Sequence, residues 1–166
     1  MWFMYSTEGI VLKKLDVGEA DALYAIYTRD YGKIRVLAQG IRKPEAKLRG
    51  HLEPLSLSAI RFVIGRGGEK LIAASMVSFW ERIRSQEATL RLAAAMAAAV
   101  DEHCLAGERD DVVWGLLSGS FSVLEGAGVH ASDAARFLAE FMASLNNALG
   151  YGGGRGDGTT SPSALL

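Results

Sequence analysis

The stretch Ala22-Leu23-Tyr24-Ala25-Ile26-Tyr27-Thr28-Arg29-Asp30-Tyr31-Gly32-Lys33-Ile34-Arg35-Val36 carries the fold. Its first seven residues are dense in aromatic and branched side chains, which suit a pleated, half-buried surface. Lys33 to Val36 alternates charged and apolar, the two-residue period of a strand with one wet face. Between them, Arg29-Asp30-Tyr31-Gly32 offers a turn whose glycine can take positive φ. The stretch therefore predicts a β-hairpin. The same signals recur outward from it, in Glu8–Lys14 before it and in Leu55–Ile64 and Lys70–Phe79 after it. Gly65-Arg66-Gly67-Gly68 punctuates the last two as a second hairpin turn. Five short strands in the first half of the chain predict a small closed barrel, because an open sheet leaves unpaired edges. Gln39 to Pro54 breaks the pattern with Gly40, Pro44, Gly50 and Pro54, and reads as a long loop holding one helical turn.

Beyond Trp80 the period changes. Glu81 to Leu105 lacks glycine and proline and is rich in Ala, Leu and Met, so it predicts one long helix stopped by Gly107. A second helix is expected over Asp110–Glu125, with Asp110 as N-cap and Gly126 and Gly128 at its end. A third is expected over Asp133–Leu149, capped by Ser132, with Phe137, Leu138, Phe141, Met142 and Leu145 on one face. The fold class expected is α+β, a five-stranded barrel followed by a small helical bundle. The expected organisation is residues 1–80, residues 81–151, and a tail over 152–166 in which five glycines between 152 and 158 predict disorder. The Ala-rich run Leu92–Val100 fits either a tight bundle core or a groove for a partner helix or peptide.

Composition excludes several classes. Of 166 residues, 49% are hydrophobic and 22% charged, which fits a packed globular protein and not a disordered one. The longest apolar run, Leu92–Val100, spans nine residues, whereas a membrane span needs about 20. The first residues lack a basic, apolar leader, and the single Cys104 makes no internal disulfide, so a cytoplasmic setting is expected. No constellation for catalysis emerges. His51, His103 and His130 stand at no metal-ligand spacing, and adjacent His103 and Cys104 point about 100° apart on a helix. The glycine turn at 65–68 fits neither a phosphate loop nor a dinucleotide-binding motif.

The charge distribution is the informative feature. Residues 1–86 hold 14 Lys and Arg against 9 Asp and Glu, while residues 87–166 hold 4 against 10. A basic half beside an acidic half predicts two units with different partners, the basic one drawn to a polyanion such as nucleic acid. Six cations, Lys33, Arg35, Arg42, Lys43, Lys47 and Arg49, stand within seventeen residues against one acid, Glu45. A groove that tracks a phosphate backbone needs such a set, each contact releasing counterions. Tyr24, Tyr27 and Tyr31 lie just upstream, either as stacking platforms for bases or, the reading we favour, as barrel core.

Six pieces in order are also familiar: Glu8-Gly9-Ile10-Val11-Leu12, Gly18-Glu19-Ala20-Asp21, Tyr31-Gly32-Lys33, Gly40-Ile41-Arg42-Lys43-Pro44, Lys47-Leu48-Arg49-Gly50 and Leu52-Glu53-Pro54. Together they resemble the N-terminal domain of the bacterial recombination mediator RecO over about residues 7–84, with Leu149-Gly150-Tyr151 similar to the element that closes that family's helical domain. The resemblance implies an OB-fold barrel, an α-helical domain and no catalytic site or cofactor. It implies binding of single- and double-stranded DNA, annealing of complementary strands, and action with RecR. It also implies contact with the acidic tail of single-strand-binding protein, so that recombinase loads onto coated DNA. By position, the six cations fall on the family's basic strand and loop. The sequence departs from the family in three places. A Gly-rich stretch stands where many members carry a zinc-binding cysteine cluster, so no metal is expected. Ala46 stands for a family serine, and the helical half is acidic, so an acidic tail needs a local pocket built from Arg91 and Arg136. The rival readings are a protein-interaction adaptor with weak or no DNA binding, and a generic single-strand binder without a mediator role.

Overall fold

A computed structural model describes residues 3–151. The expected disordered tail over 152–166 lies outside the described residues. Five strands form a closed barrel: β1 (Met4–Val17), β2 (Asp21–Thr28), β3 (Gly32–Ala38), β4 (Leu57–Gly65) and β5 (Gly68–Ser78), in the order β1-β2-β3-β5-β4. All neighbours run antiparallel except β3 and β5, whose short parallel contact at Val36–Glu69 and Leu37–Lys70 closes the ring. This five-stranded closed barrel is the OB arrangement.

The hairpin at 22–36 forms as its sequence dictates, with Thr28 opposite Gly32 and Ala25 opposite Arg35. The Thr28 hydroxyl donates to the Gly32 carbonyl at 2.8 Å and accepts from the Tyr31 N–H, which satisfies the turn from within. The second hairpin pairs Gly65 with Gly68. β1 is longer than Glu8–Lys14. Its first half pairs with β4 and its second with β2, and a bulge between Val11 and Lys13 bends it from one partner to the other. Strand propensity alone does not reveal that double duty.

Tyr24, Ile26, Ile34, Val36, Ile60 and Phe62 fill the barrel. Ile41 and Leu52, from the two ends of the 39–54 loop, pack into the same cluster, so the loop closes one end of the barrel. The expected single helical turn in that loop is a 3₁₀ turn at Arg49–His51.

Four helices follow where three were expected: α1 (Glu81–Ser85), α2 (Glu87–His103), α3 (Asp111–Gly126) and α4 (Ala134–Ala148). The expected long helix breaks at Gln86, which is extended at φ −120° and ψ 120°. Tertiary partners satisfy the ends this creates. Glu125 of α3 accepts from the Arg82 and Ile83 N–H groups, and the Thr89 hydroxyl donates to the Ile83 and Gln86 carbonyls. Asp110 caps α3 as expected, accepting from Val112 and Val113 at 2.9 and 3.1 Å. Ser132 does not cap α4; Asp133 occupies that position without a side-chain bond. Asp110→Ala is expected to cost about 1 kcal/mol, read as a lower urea midpoint with an unchanged slope.

The Leu92–Val100 run is bundle core: Leu92, Ala93, Met96, Ala97 and Val100 are buried against Val113, Leu117, Phe121, Phe141 and Leu145. That cluster does not stop at the bundle. Ile10, Leu12, Ala25 and Tyr27, on the outer face of the barrel, belong to it. The chain enters the helices through Trp80, held in the left-handed region at φ 58° by packing edge-on to Phe121. The helices therefore pack on the outer face of the barrel through a core separate from the one that fills it, and polar contacts seal the seam. Tyr27 Oη donates to the Asp110 carbonyl, Gly107 N–H donates to the Lys33 carbonyl, and the Arg84 guanidinium donates to the Pro54 carbonyl. No described helix is long and apolar enough to cross a membrane.

Candidate nucleic-acid interface

Strand alternation sorts the basic residues before any ligand is considered. In β3, Ile34 and Val36 point into the barrel, so Lys33 and Arg35 lie on the outer face, toward the helices. Their fates differ. Lys33 is only 5% exposed. Its ammonium donates to the Asp101 carbonyl at 2.5 Å and lies 3.6 Å from Asp101 Oδ1, at the last turn of α2. The expectation placed Lys33 on the DNA surface; the structure places its ammonium between β3 and α2, engaged by Asp101. The cause is the bundle itself, which covers that point of the barrel.

Arg35 remains exposed. It lines a cleft of about 160 Å³ with Lys13, Leu15, Leu23, Ala25 and Asp101. Lys13 is a cation that sequence reasoning missed, although the signal was available. Lys13 pairs with Ala25 and Ala25 with Arg35, so the hairpin register extended by one strand places both on the same face.

The other four cations stand on the 39–54 loop. Arg42 is half-buried: its guanidinium donates to the Gly18 carbonyl at 2.9 Å and pairs with Asp16 at 3.5 Å. Together with the Arg42 N–H bonded to the Ala20 carbonyl and the Gly40 N–H bonded to Asp21, this ties the loop to the β1–β2 turn. Lys43, Lys47 and Arg49 are exposed. Among the described residues, none of Lys13, Arg35, Lys43, Lys47 and Arg49 forms an ion pair. The six predicted cations thus divide into one buried strut, one loop anchor, and four free charges on two surfaces. Arg35, on β3, shares the face of the sheet that carries Lys13 and Leu15 of β1. The loop is anchored to the opposite face, where Lys14 and Asp16 pair.

Tyr24 and Tyr27 are core, as favoured, and Tyr31 is partly buried against the barrel cluster. Tyr24 and Tyr27 are 2% and 1% exposed, and burial pushes the Tyr24 hydroxyl up to about 12, with Glu53 and Asp16 adding to the effect. Tyr31 packs edge-on against Tyr5 and Phe62 at 5.4 and 5.7 Å. Tyr24 and Tyr27 are therefore closed to base stacking.

Elsewhere the chemistry is quiet. Among the described residues no cluster of three or more His, Cys, Asp or Glu side chains could hold a metal ion. Cys104 is buried and its thiol is pushed up by that burial, against the opposing charge of Lys33. In the acidic half, Arg91 and Arg136 do not meet in one pocket. Arg91 pairs with Glu87 at 2.5 Å and edges a cleft between α2 and α4 lined by Leu92, Ala95, Ala134 and Leu138. Arg136 pairs with Asp133 and lines a separate depression with His130, Phe137 and Glu140.

Comparison with known proteins places this geometry. The family described as "Recombination protein O N terminal" matches residues 1–79, which are the barrel. The chain is 33% identical over 108 residues to a DNA repair protein RecO of Rubrobacter xylanophilus, covering 65% of this chain and 43% of the relative. It is 30% identical over 145 residues to the RecO of Geobacter metallireducens and 31% identical over 144 to that of Geobacter sulfurreducens. Each of those two alignments covers 87% of this chain and 58% of the relative. The chain thus spans about half the length of the curated relatives it matches. The barrel is thus a RecO N-terminal domain, and the chain is similar through most of its helices to the RecO family of bacterial DNA repair and recombination proteins.

Proposed function

We propose that the chain is a non-enzymatic recombination mediator that binds single- and double-stranded DNA through its barrel and promotes pairing of complementary strands. The observation that carries this reading is the set of unpaired, exposed cations on the barrel: Lys43, Lys47 and Arg49 on the closing loop, with Arg35 and Lys13 on the strand face. Each can replace a condensed counterion on a phosphate. Neutralised phosphates on two strands repel each other less, which favours annealing, and no side chain has to read a base. The helical half, residues 81–151, is the surface for protein partners, a RecR-like protein first. The acidic tail of single-strand-binding protein is the second, seated in the α2–α4 cleft, whose apolar walls and Arg91 suit an apolar, acidic peptide. Through these contacts the protein helps recombinase onto coated DNA in the bacterial cytoplasm.

The test is a fluorescent single-stranded oligonucleotide titrated at several salt concentrations, with annealing followed in the same samples. Five phosphate contacts predict a slope of log affinity on log salt of about −3 to −4. Binding without annealing identifies a generic single-strand binder. No binding at low salt makes the chain a protein-interaction adaptor, a reading favoured by one observation, that Lys33 and Arg42 are already engaged within the protein.

A further inference from the structure

Asp101 faces in two directions. Toward the interior, its Oδ1 is buried, has no hydrogen-bond partner, and lies 3.6 Å from the Lys33 ammonium. Toward solvent, the same residue forms one wall of the cleft that Lys13 and Arg35 line. One carboxylate therefore stands among three cations. One of them, Lys33, is enclosed; the other two are exposed. The Asp101 side chain is 19% exposed with its Oδ1 buried, and a largely enclosed carboxylate without a counter-charge is disfavoured, so it favours the nearest cation. With Lys33 present, that cation is the buried one. Without it, Asp101 has only Arg35 and Lys13 to turn to, and each cation it takes no longer contributes to phosphate binding.

We propose that Lys33 supports DNA binding without touching DNA: as a positioning residue it holds the Asp101 carboxylate, leaving Arg35 and Lys13 free for phosphate. This rests on reading the Lys13–Arg35 face as part of the DNA interface. Lys33 also anchors its strand independently of charge, since its carbonyl accepts from Gly107 and its backbone bridges to Ala106. The position of β3 is thus kept when only the ammonium is removed.

The test is a cycle of four proteins, wild type, Lys33→Met, Asp101→Asn and the double variant, each titrated with a single-stranded oligonucleotide across salt at a temperature where all are folded. Lys33→Met is expected to bind about fivefold more weakly, with a slope shallower by about 0.7 to 1.4 as one or both exposed cations are masked. Asp101→Asn alone should stay within about twofold of wild type, since its charge is already engaged. The double variant should regain wild-type affinity and slope, a rescue that couples the two sites. If the double variant stays as weak as Lys33→Met, Lys33 contacts phosphate itself and the proposal is overturned. If Lys33→Met is less stable yet binds as wild type does, Lys33 is a structural strut only, and the proposal is again overturned. Should Lys33→Met not fold, Lys33→Gln, which keeps a donor for the Asp101 carbonyl, takes its place in the cycle with the same expectations. Absence of binding by wild type is a distinct result, which removes the DNA reading and this proposal with it.

Discussion

Gly32→Ala is expected to lower stability by about 4 kcal/mol, among the larger effects a single substitution produces. Gly32 ends the β2–β3 turn at φ +66°, where a non-glycine residue costs about 1–2 kcal/mol. The rest comes from the helical half. A Cβ at this position would lie 2.0 Å from the Glu108 carbonyl oxygen and 2.5 Å from its carbon, both backbone atoms that cannot rotate aside. The 104–110 segment would have to retreat, and it carries the Gly107 bond to Lys33 and the Asp110 carbonyl that accepts from Tyr27. Gly18→Ala is the matched control, because Gly18 has φ +58° and no atom within 4 Å of its added Cβ. It should cost only the conformational part. Urea unfolding of both variants measures the difference, which is the cost of displacing the 104–110 segment from the barrel. In thermal unfolding, Gly32→Ala should fall about 8–16 °C below wild type. Equal midpoints for the two variants would mean that the 104–110 segment yields freely and the two halves are weakly joined.

The contrast between these two glycines shows what could be read in the chain and what could not. Local signals announced local structure. The turn at 29–32, the glycines at 65–68, the Asp110 cap and the switch of period near residue 80 all appear in the structure, because each depends on neighbours in sequence. The features missed depend on atoms distant in sequence. The break at Gln86 has no glycine or proline to mark it, and is stabilised by Glu125 from a helix forty residues on. Lys33 and Arg35 look alike in sequence, two cations on one wet face of a strand. Only the placement of α2 over the first and not the second makes one a buried strut and the other a free charge. Lys13 was within reach of register reasoning and Asp101 was not, since nothing in β3 indicates which helical residue will face it.

The loop variant Lys43→Ala, Lys47→Ala and Arg49→Ala is expected to lose the largest share of DNA affinity of any surface change in this protein. Each cation should contribute about 0.7 to the salt slope for single strands and about 0.9 for duplex, so the triple variant should flatten the slope by about 2 and nearly 3 respectively. Stability should barely move. The three side chains are exposed and unpaired, and the contacts that close the barrel end come instead from Ile41, Leu52 and the Arg42 anchor. That separation makes the test clean, since a change in slope without a change in unfolding midpoint can only be lost phosphate contact. Arg42→Ala should behave in the opposite way, loosening the loop by breaking its ties to Gly18 and Asp16 while changing the slope by less than one unit, because its charge is already shared. Arg35→Gln separates the two surfaces. If the slope falls with Arg35 and not with the loop variant, the strand runs along the β1–β2–β3 face beside the bundle and the loop is a solvated cap. If both fall, and by additive amounts, the phosphate backbone turns from the strand face around the closed end of the barrel, and a single bound strand spans both sets of cations.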